Sequence, residues 1–141
     1  MTQDNNNLPQ RQHNDDAGCD LRVARSGFIS PCTTVTVPTG YYPQEDDIPD
    51  GSVGLVFARS SLHKRGLSLA NGVGVIDSGY RGEVLLALRN DTDAPVVIAK
   101  GERIAQIVVV PLDLSSVLYS ATNTNNTQPR NTSGFGSTGR N

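Results

Sequence analysis

Apolar and polar residues alternate along this chain in stretches too short for helices. Leu21 and Val23 alternate with Asp20 and Arg22, Val35 and Val37 with Thr34 and Thr36, and Val53, Leu55 and Phe57 share one parity. Such period-two patterns, rich in β-branched residues, predict strands. Glycine and proline interrupt the sequence so often that only Leu55 to Arg65, Glu83 to Ala94 and Leu112 to Gln128 run beyond ten residues without one. Long helices therefore have almost nowhere to form. One short helix is expected within Ser60 to Arg65, with serine as N-cap and Gly66 as terminator. The pattern predicts an all-β domain.

Two dense apolar runs, Glu83 to Arg89 and Val96 to Ala99, flank the turn-forming residues Asn90 to Pro95 and predict a hairpin. Arg103 to Val110 is apolar at both parities, as expected of a strand in the middle of a sandwich or against another subunit. Gln106 interrupts it, sharing the parity of Ile104 and Val108. A buried amide costs roughly 1–3 kcal/mol unless bonded, so Gln106 needs a partner, either protein or ligand.

The 141 residues suffice for one domain and no second. With the 14 glycines counted in, the 36% hydrophobic fraction reaches the average for soluble chains. No apolar run has membrane-helix length, and the opening MTQDNNNLPQRQHNDD resembles neither a signal nor a transit peptide. A soluble, cytoplasmic protein with no membrane partner is expected. Cys19 and Cys32 have no metal spacing and read as buried free thiols. A net charge of −2 argues against a broad nucleic-acid-binding face. The organisation expected is a polar leader without structure over 1–16, a core over 17–119 and a flexible C-terminal arm over 120–141.

Three segments carry candidate chemistry. In Gly134-Phe135-Gly136-Ser137-Thr138-Gly139, with Arg130 nearby, glycines, hydroxyls and successive N–H groups suit phosphate oxygens, and Phe135 suits stacking on a base; a floppy tail fits the composition equally. In Gly74 to Glu83, a two-residue Ser78-Gly79 turn would set the Asp77 carboxylate beside the Tyr80 ring, or be an ordinary turn. Asn71 would share the face of Asp77 on an unbroken strand, although Gly72 and Gly74 allow a bulge. Arg59-Ser60-Ser61 is a third candidate that, taken alone, reads equally as a helix cap with a solvated arginine. His13 and His63 have no metal-ligand partner and take no role.

In this order, AGCDL (17–21), ARSSL (58–62), GVIDSGYRGEV (74–84), GERIAQI (101–107) and RNTSGFGSTG (130–139) resemble the five motifs of the dUTPase family. Asn131, where glycine more often follows the arginine, and a long Asn/Thr-rich spacer before Arg130 depart from the pattern. The resemblance implies a β-barrel or jelly-roll-like subunit of the β-clip type, assembled as a homotrimer with active sites at subunit junctions. One subunit supplies the first, second and fourth motifs, a neighbour the third, and the C-terminal arm of the remaining one closes the site.

By that resemblance the reaction is dUTP and water to dUMP and pyrophosphate, limiting uracil incorporation into DNA and supplying dUMP for thymidylate synthesis, with Mg²⁺ carried on the triphosphate. Asp77 is implied to activate the attacking water. Arg59, Ser60, Ser61, Gln106 and Arg130 are implied to bind phosphates, with Arg59, Gln106 and Arg130 also catalytic, while Asp20 touches the metal only through water. Asn71, with the backbone of Gly74, Val75 and Ile76, is implied to read uracil. Tyr80 packs under the sugar, and Phe135, Gly136, Ser137 and Thr138 close over the nucleotide. The rival readings are a deoxycytidine triphosphate deaminase and a non-catalytic trimer of the same fold.

Overall fold

The computed structural model describes residues 7–120. Nine strands follow in order: β1 (Cys19–Arg22), β2 (Gly27–Ile29), β3 (Thr34–Pro38), β4 (Ser52–Ala58), β5 (Leu67–Leu69), β6 (Gly74–Asp77), β7 (Leu85–Asn90), β8 (Val96–Ile98) and β9 (Arg103–Pro111). All pair antiparallel, in a four-stranded sheet β1-β9-β4-β6, a three-stranded sheet β3-β7-β5 and a two-stranded ribbon β2-β8. The three sheets enclose one core of aliphatic side chains, including Leu21, Val23, Ile29, Leu86, Leu88 and Ile104. Each such side chain contributes about 1.5–3 kcal/mol through burial. The helical elements described over their full length are a 3₁₀ turn, Leu62–Arg65, and a single α-turn, Val117–Ser120. No described helix is long and apolar enough to cross a membrane.

Local chemistry explains the breaks between strands. Gly66 ends the 3₁₀ turn at φ 70°, in the left-handed region that costs glycine nothing, and its N–H bonds back to the His63 carbonyl at 3.0 Å. Between β5 and β6, Gly72 takes φ 76° and the chain turns. The unbroken strand that would have put Asn71 on the face of Asp77 is therefore absent, and Asn71 lies in the connection.

The expected hairpin over 83–99 does not form, because β7 pairs with β3 and β5 while β8 pairs with β2. Asn90 is the reason. Fully buried, it donates through Nδ2 to the Ile29 and Ala94 carbonyls at 2.9 and 2.8 Å. Its Oδ1 accepts the Thr92 N–H and hydroxyl at 2.9 and 2.7 Å. The amide thus fastens a connection that carries the chain from one sheet to another.

Strand β9 lies between β1 and β4 in the four-stranded sheet, with Ile104, Ala105 and Ile107 buried, Val108 and Val110 half-buried and Val109 exposed. On β4 the buried parity is Gly54 and Val56, whereas Val53, Leu55 and Phe57 are only half-buried. By register, Val53 stands beside Val110 and Asp77, Leu55 beside Val108 and Val75, and Phe57 beside Gln106, which pairs with Asp20. One sheet face thus carries an apolar stripe with polar groups at each end.

The leader also differs from expectation. From Asn7, which is buried against Gly40, it is attached to the core, and Gln10 forms an antiparallel bridge with Asp20. Both cysteines are free, but Cys32 is exposed rather than buried and Cys19 is half-buried.

Candidate active site

A polar cleft of about 550 Å³ opens at the Asp20 end of that face. The first motif reaches it through Gly18 and Asp20 on β1, the second through Arg59 and Ser60 just beyond β4, and the fourth through Arg103 and Gln106 on β9. The pairing order β1-β9-β4 brings these three distant segments side by side.

Asp20 is the cleft's hub. Its side chain is almost buried, with Oδ1 3.1 Å from Arg59 Nε and Oδ2 3.4 Å from Arg103 Nη1. Arg59 is steadied further by donating from Nη1 to the Arg103 carbonyl at 3.4 Å, and from its backbone N–H to the Ile104 carbonyl at 3.3 Å. Holding Nε in this way fixes the guanidinium plane while leaving its remaining donors for an anion.

Gln106 gains one long protein contact, Nε2 to the Ala58 carbonyl at 3.4 Å. Its Oε1 lies against Gly18, where a Cβ would sit 2.6 Å from it. The glycine of the first motif is thus the space that the glutamine of the fourth occupies. Ser60 lines the cleft, whereas Ser61 occupies the N-cap position of the 3₁₀ turn, makes no side-chain cap bond and is not among the lining residues.

The third-motif residues lie elsewhere. Strand β6, containing Gly74, Val75, Ile76 and Asp77, is the sheet's outer edge. The Tyr80 N–H donates to the Asp77 carbonyl at 3.0 Å, so the Ser78-Gly79 turn is present, but β6 pairs with β4 and not with a strand following the turn. The Tyr80 hydroxyl donates to the Glu83 carbonyl at 2.8 Å, and burial, then the Glu83 and Tyr42 charges, raise its pKa. The Glu83 carboxylate in turn accepts the Gly40 N–H at 2.8 Å and the Tyr42 hydroxyl at 3.4 Å. Asp77 registers with Val53, and Arg59, one residue past the end of β4, lies six positions further along the chain, a separation of about 20 Å at strand rise. One chain therefore does not unite these two groups. Arg130, Phe135, Gly136, Ser137 and Thr138 lie outside the described residues.

Sequence reasoning missed Arg103, the Glu83 anchor and the leader. Arg103 stood inside GERIAQI, three positions before Gln106; in the register it pairs with Arg22 beyond a shift at Leu21/Arg22, and its side chain reaches Asp20. The leader brings Gln12, His13 and Asp16 to the cleft's rim.

No cluster of three or more His, Cys, Asp or Glu among the described residues is arranged to hold a metal ion. Asp20 is engaged by two guanidiniums. This donor set does not cage a divalent ion, but it fits a hydrated Mg²⁺ that arrives on a polyphosphate and meets one carboxylate.

The sequence profile of the dUTPase family matches residues 4–139. A deoxyuridine 5'-triphosphate nucleotidohydrolase from Mycobacterium sp. (strain JLS) is 46% identical over 113 residues, covering 79% of this chain and 71% of the relative. The crystal structure of a dUTPase from Streptococcus mutans superposes with a TM-score of 0.69 at 42% identity, over 77% of this chain and 88% of that one. A mutant dUTPase from phage phi11 of S. aureus, solved for the coordination of a structural Mg(II) ion, gives a TM-score of 0.69 at 25% identity, over 78% and 86%.

Proposed function

The chain belongs to the dUTPase family, and from that premise we propose how its residues divide the work and how many copies each site requires. The reaction is hydrolysis of dUTP to dUMP and pyrophosphate, which limits uracil in DNA, and the subunit is of the family's jelly-roll type, with three sheets in place of a closed barrel.

The separation of Asp77 from Arg59 carries the assembly reading. The cleft formed by Asp20, Arg59, Arg103 and Gln106 receives the polyphosphate, and Asp77 comes from a second copy. The half-buried Val53, Leu55, Val108 and Val110, and Val75, which is 64% exposed, form an apolar face for that copy to cover. A homotrimer, in which a third chain's segment 120–141 closes the site with Arg130 and Phe135, satisfies these requirements around one axis. A cytoplasmic enzyme is part of the same reading.

Asp77 orients the attacking water and takes its proton as the water oxygen bonds to the α-phosphorus and the bond from that phosphorus to the departing pyrophosphate breaks. Positioning of the carboxylate and the water supplies much of the rate. Arg59, fixed by Asp20, donates to the phosphate oxygens, with Ser60, Gln106 and Arg130 beside it, and the developing charge on the leaving pyrophosphate meets these aligned donors. Asp20 would be the carboxylate to meet a Mg²⁺ arriving on the triphosphate, which would supply charge neutralisation. Asn71 and the backbone of 74–76 match the donor and acceptor edge of uracil. The anchored Tyr80 ring lies under the sugar and leaves no room for a 2′-hydroxyl.

Mixing two inactive proteins tests the shared site. Asp77→Asn abolishes turnover while leaving nucleotide binding, and Arg59→Ala abolishes it by losing the phosphate fork. Dissociated and reassembled together in equal amounts, they recover about a quarter of the wild-type sites, because each chain supplies what the other lacks. No recovery in verified mixed oligomers refutes the reading.

A further inference from the structure

The leader presents polar groups that the reaction above does not use. Residues 11–16 fold into a compact turn: the Asp16 carboxylate accepts the N–H groups of Gln12 and His13 at 3.1 and 2.8 Å. The Asp16 N–H donates to the His13 carbonyl at 3.2 Å, and the Arg11 guanidinium closes on the Asn14 carbonyl. The turn is moored to the cleft's hub, because Asp20 donates to the Gln10 carbonyl at 2.8 Å and Gln10 donates back at 3.4 Å. It cannot shift without disturbing the strand that carries Asp20.

Gln12 and His13 border the cleft, and their side chains make no hydrogen bond to another described residue. The cleft also lacks surplus charge of its own. Its two guanidiniums, Arg59 and Arg103, stand against two carboxylates, Asp20 and Asp16. A triphosphate carrying about four negative charges needs further donors on the rim.

We propose that His13 and Gln12 are additional phosphate-contacting residues, donating from the leader to the polyphosphate of the bound nucleotide, and that Asp16 is a positioning residue that holds them by fixing the turn. The inference rests on the dUTP reading above. It assigns the leader to recognition of the polyphosphate and not of the nucleoside, since Gln12 and His13 line the same cleft as Arg59, Ser60 and Gln106, which the reading above gives to the phosphates.

The test compares His13→Ala with the wild type for dUTP hydrolysis and for inhibition by inorganic tripolyphosphate and by dUMP. KM for dUTP and the inhibition constant of tripolyphosphate rise together about five- to tenfold, the worth of one hydrogen bond to a charged oxygen at a wet rim, while kcat and the dUMP constant stay within about twofold. His13→Gln, which keeps a donor, recovers most of the loss. Asp16→Ala gives a similar rise and adds little to His13→Ala. Unchanged constants in His13→Ala, a loss confined to kcat, or an equal rise for dUMP overturns the proposal. A wild-type protein without dUTP hydrolysis refutes the preceding reading instead, and calorimetric titration of tripolyphosphate into wild type and His13→Ala then decides this one.

Discussion

Gly18→Ala isolates the dependence of the cleft on one missing methyl group. Gly18 is not among the glycines at positive φ, so its backbone accepts alanine. The new Cβ would stand 2.6 Å from Gln106 Oε1, 3.2 Å from its Cβ and 3.3 Å from its Cδ. An ordinary contact needs about 3.4 Å or more, so the carboxamide must retreat by about 0.8 Å. Because Oε1 is the far end of a flexible side chain, the fold yields cheaply. The lower entropy of an unfolded alanine offsets about 0.4–1 kcal/mol of the crowding, and net stability changes by less than about 1 kcal/mol. Function does not escape so lightly, since displacement of a binding group by nearly 1 Å can cost up to about a hundredfold. We expect kcat/KM for dUTP to fall about 10- to 100-fold, equivalent to about 1.4–2.7 kcal/mol, with Tm within a few degrees of wild type. Steady-state pyrophosphate release and thermal unfolding measure the two quantities on one preparation. In a Gln106→Ala background the same substitution should add almost nothing. Wild-type kcat/KM in Gly18→Ala, or an undiminished effect when Gln106 is already gone, refutes the link between these side chains.

Asn90→Ala removes four hydrogen bonds from a fully buried post and should cost about 3 kcal/mol, lowering Tm by roughly 10 °C while leaving kcat/KM at low temperature near wild type; a Tm within 2 °C would contradict the role given to that amide. Deleting residues 130–141 should leave the oligomer intact by size-exclusion chromatography yet cripple turnover, and full-rate hydrolysis of dUTP by the truncated protein would refute closure by the arm.

The strands were legible because alternation is a direct imprint of a half-buried sheet, and the short turn at 62–65 because Gly66 marks its end. Strand partners were not legible. Asn, Asp, Thr and Pro at 90–95 give the same signal for a hairpin as for a crossing between sheets, and the distinguishing fact is that Asn90 shares the inward parity of Leu86 and Leu88. The leader escaped notice because its attachment runs through the backbone of Gln10 and the carboxylate of Asp16, neither of which alters hydrophobic pattern. The motifs named Asp20, Arg59 and Gln106 individually, yet the Asp20–Arg103 contact depends on the pairing of β1 with β9, its register shift at Leu21/Arg22 and the reach of the arginine side chain, none of which the sequence prints. Arg103 carried no separate signal, because one arginine among ten says nothing of which carboxylate it will meet.

The clasp of Asp20 by Arg59 and Arg103 has a consequence for any subunit on its own. With Asp16 also at that cleft, a lone chain offers a polyanion two guanidiniums matched by two carboxylates, and so exerts little pull on the many nucleotides of a cell. On the assembly proposed above, appetite for substrate arises only when other chains, and the cation the nucleotide brings, tip that balance, which would tie the onset of chemistry to completed assembly.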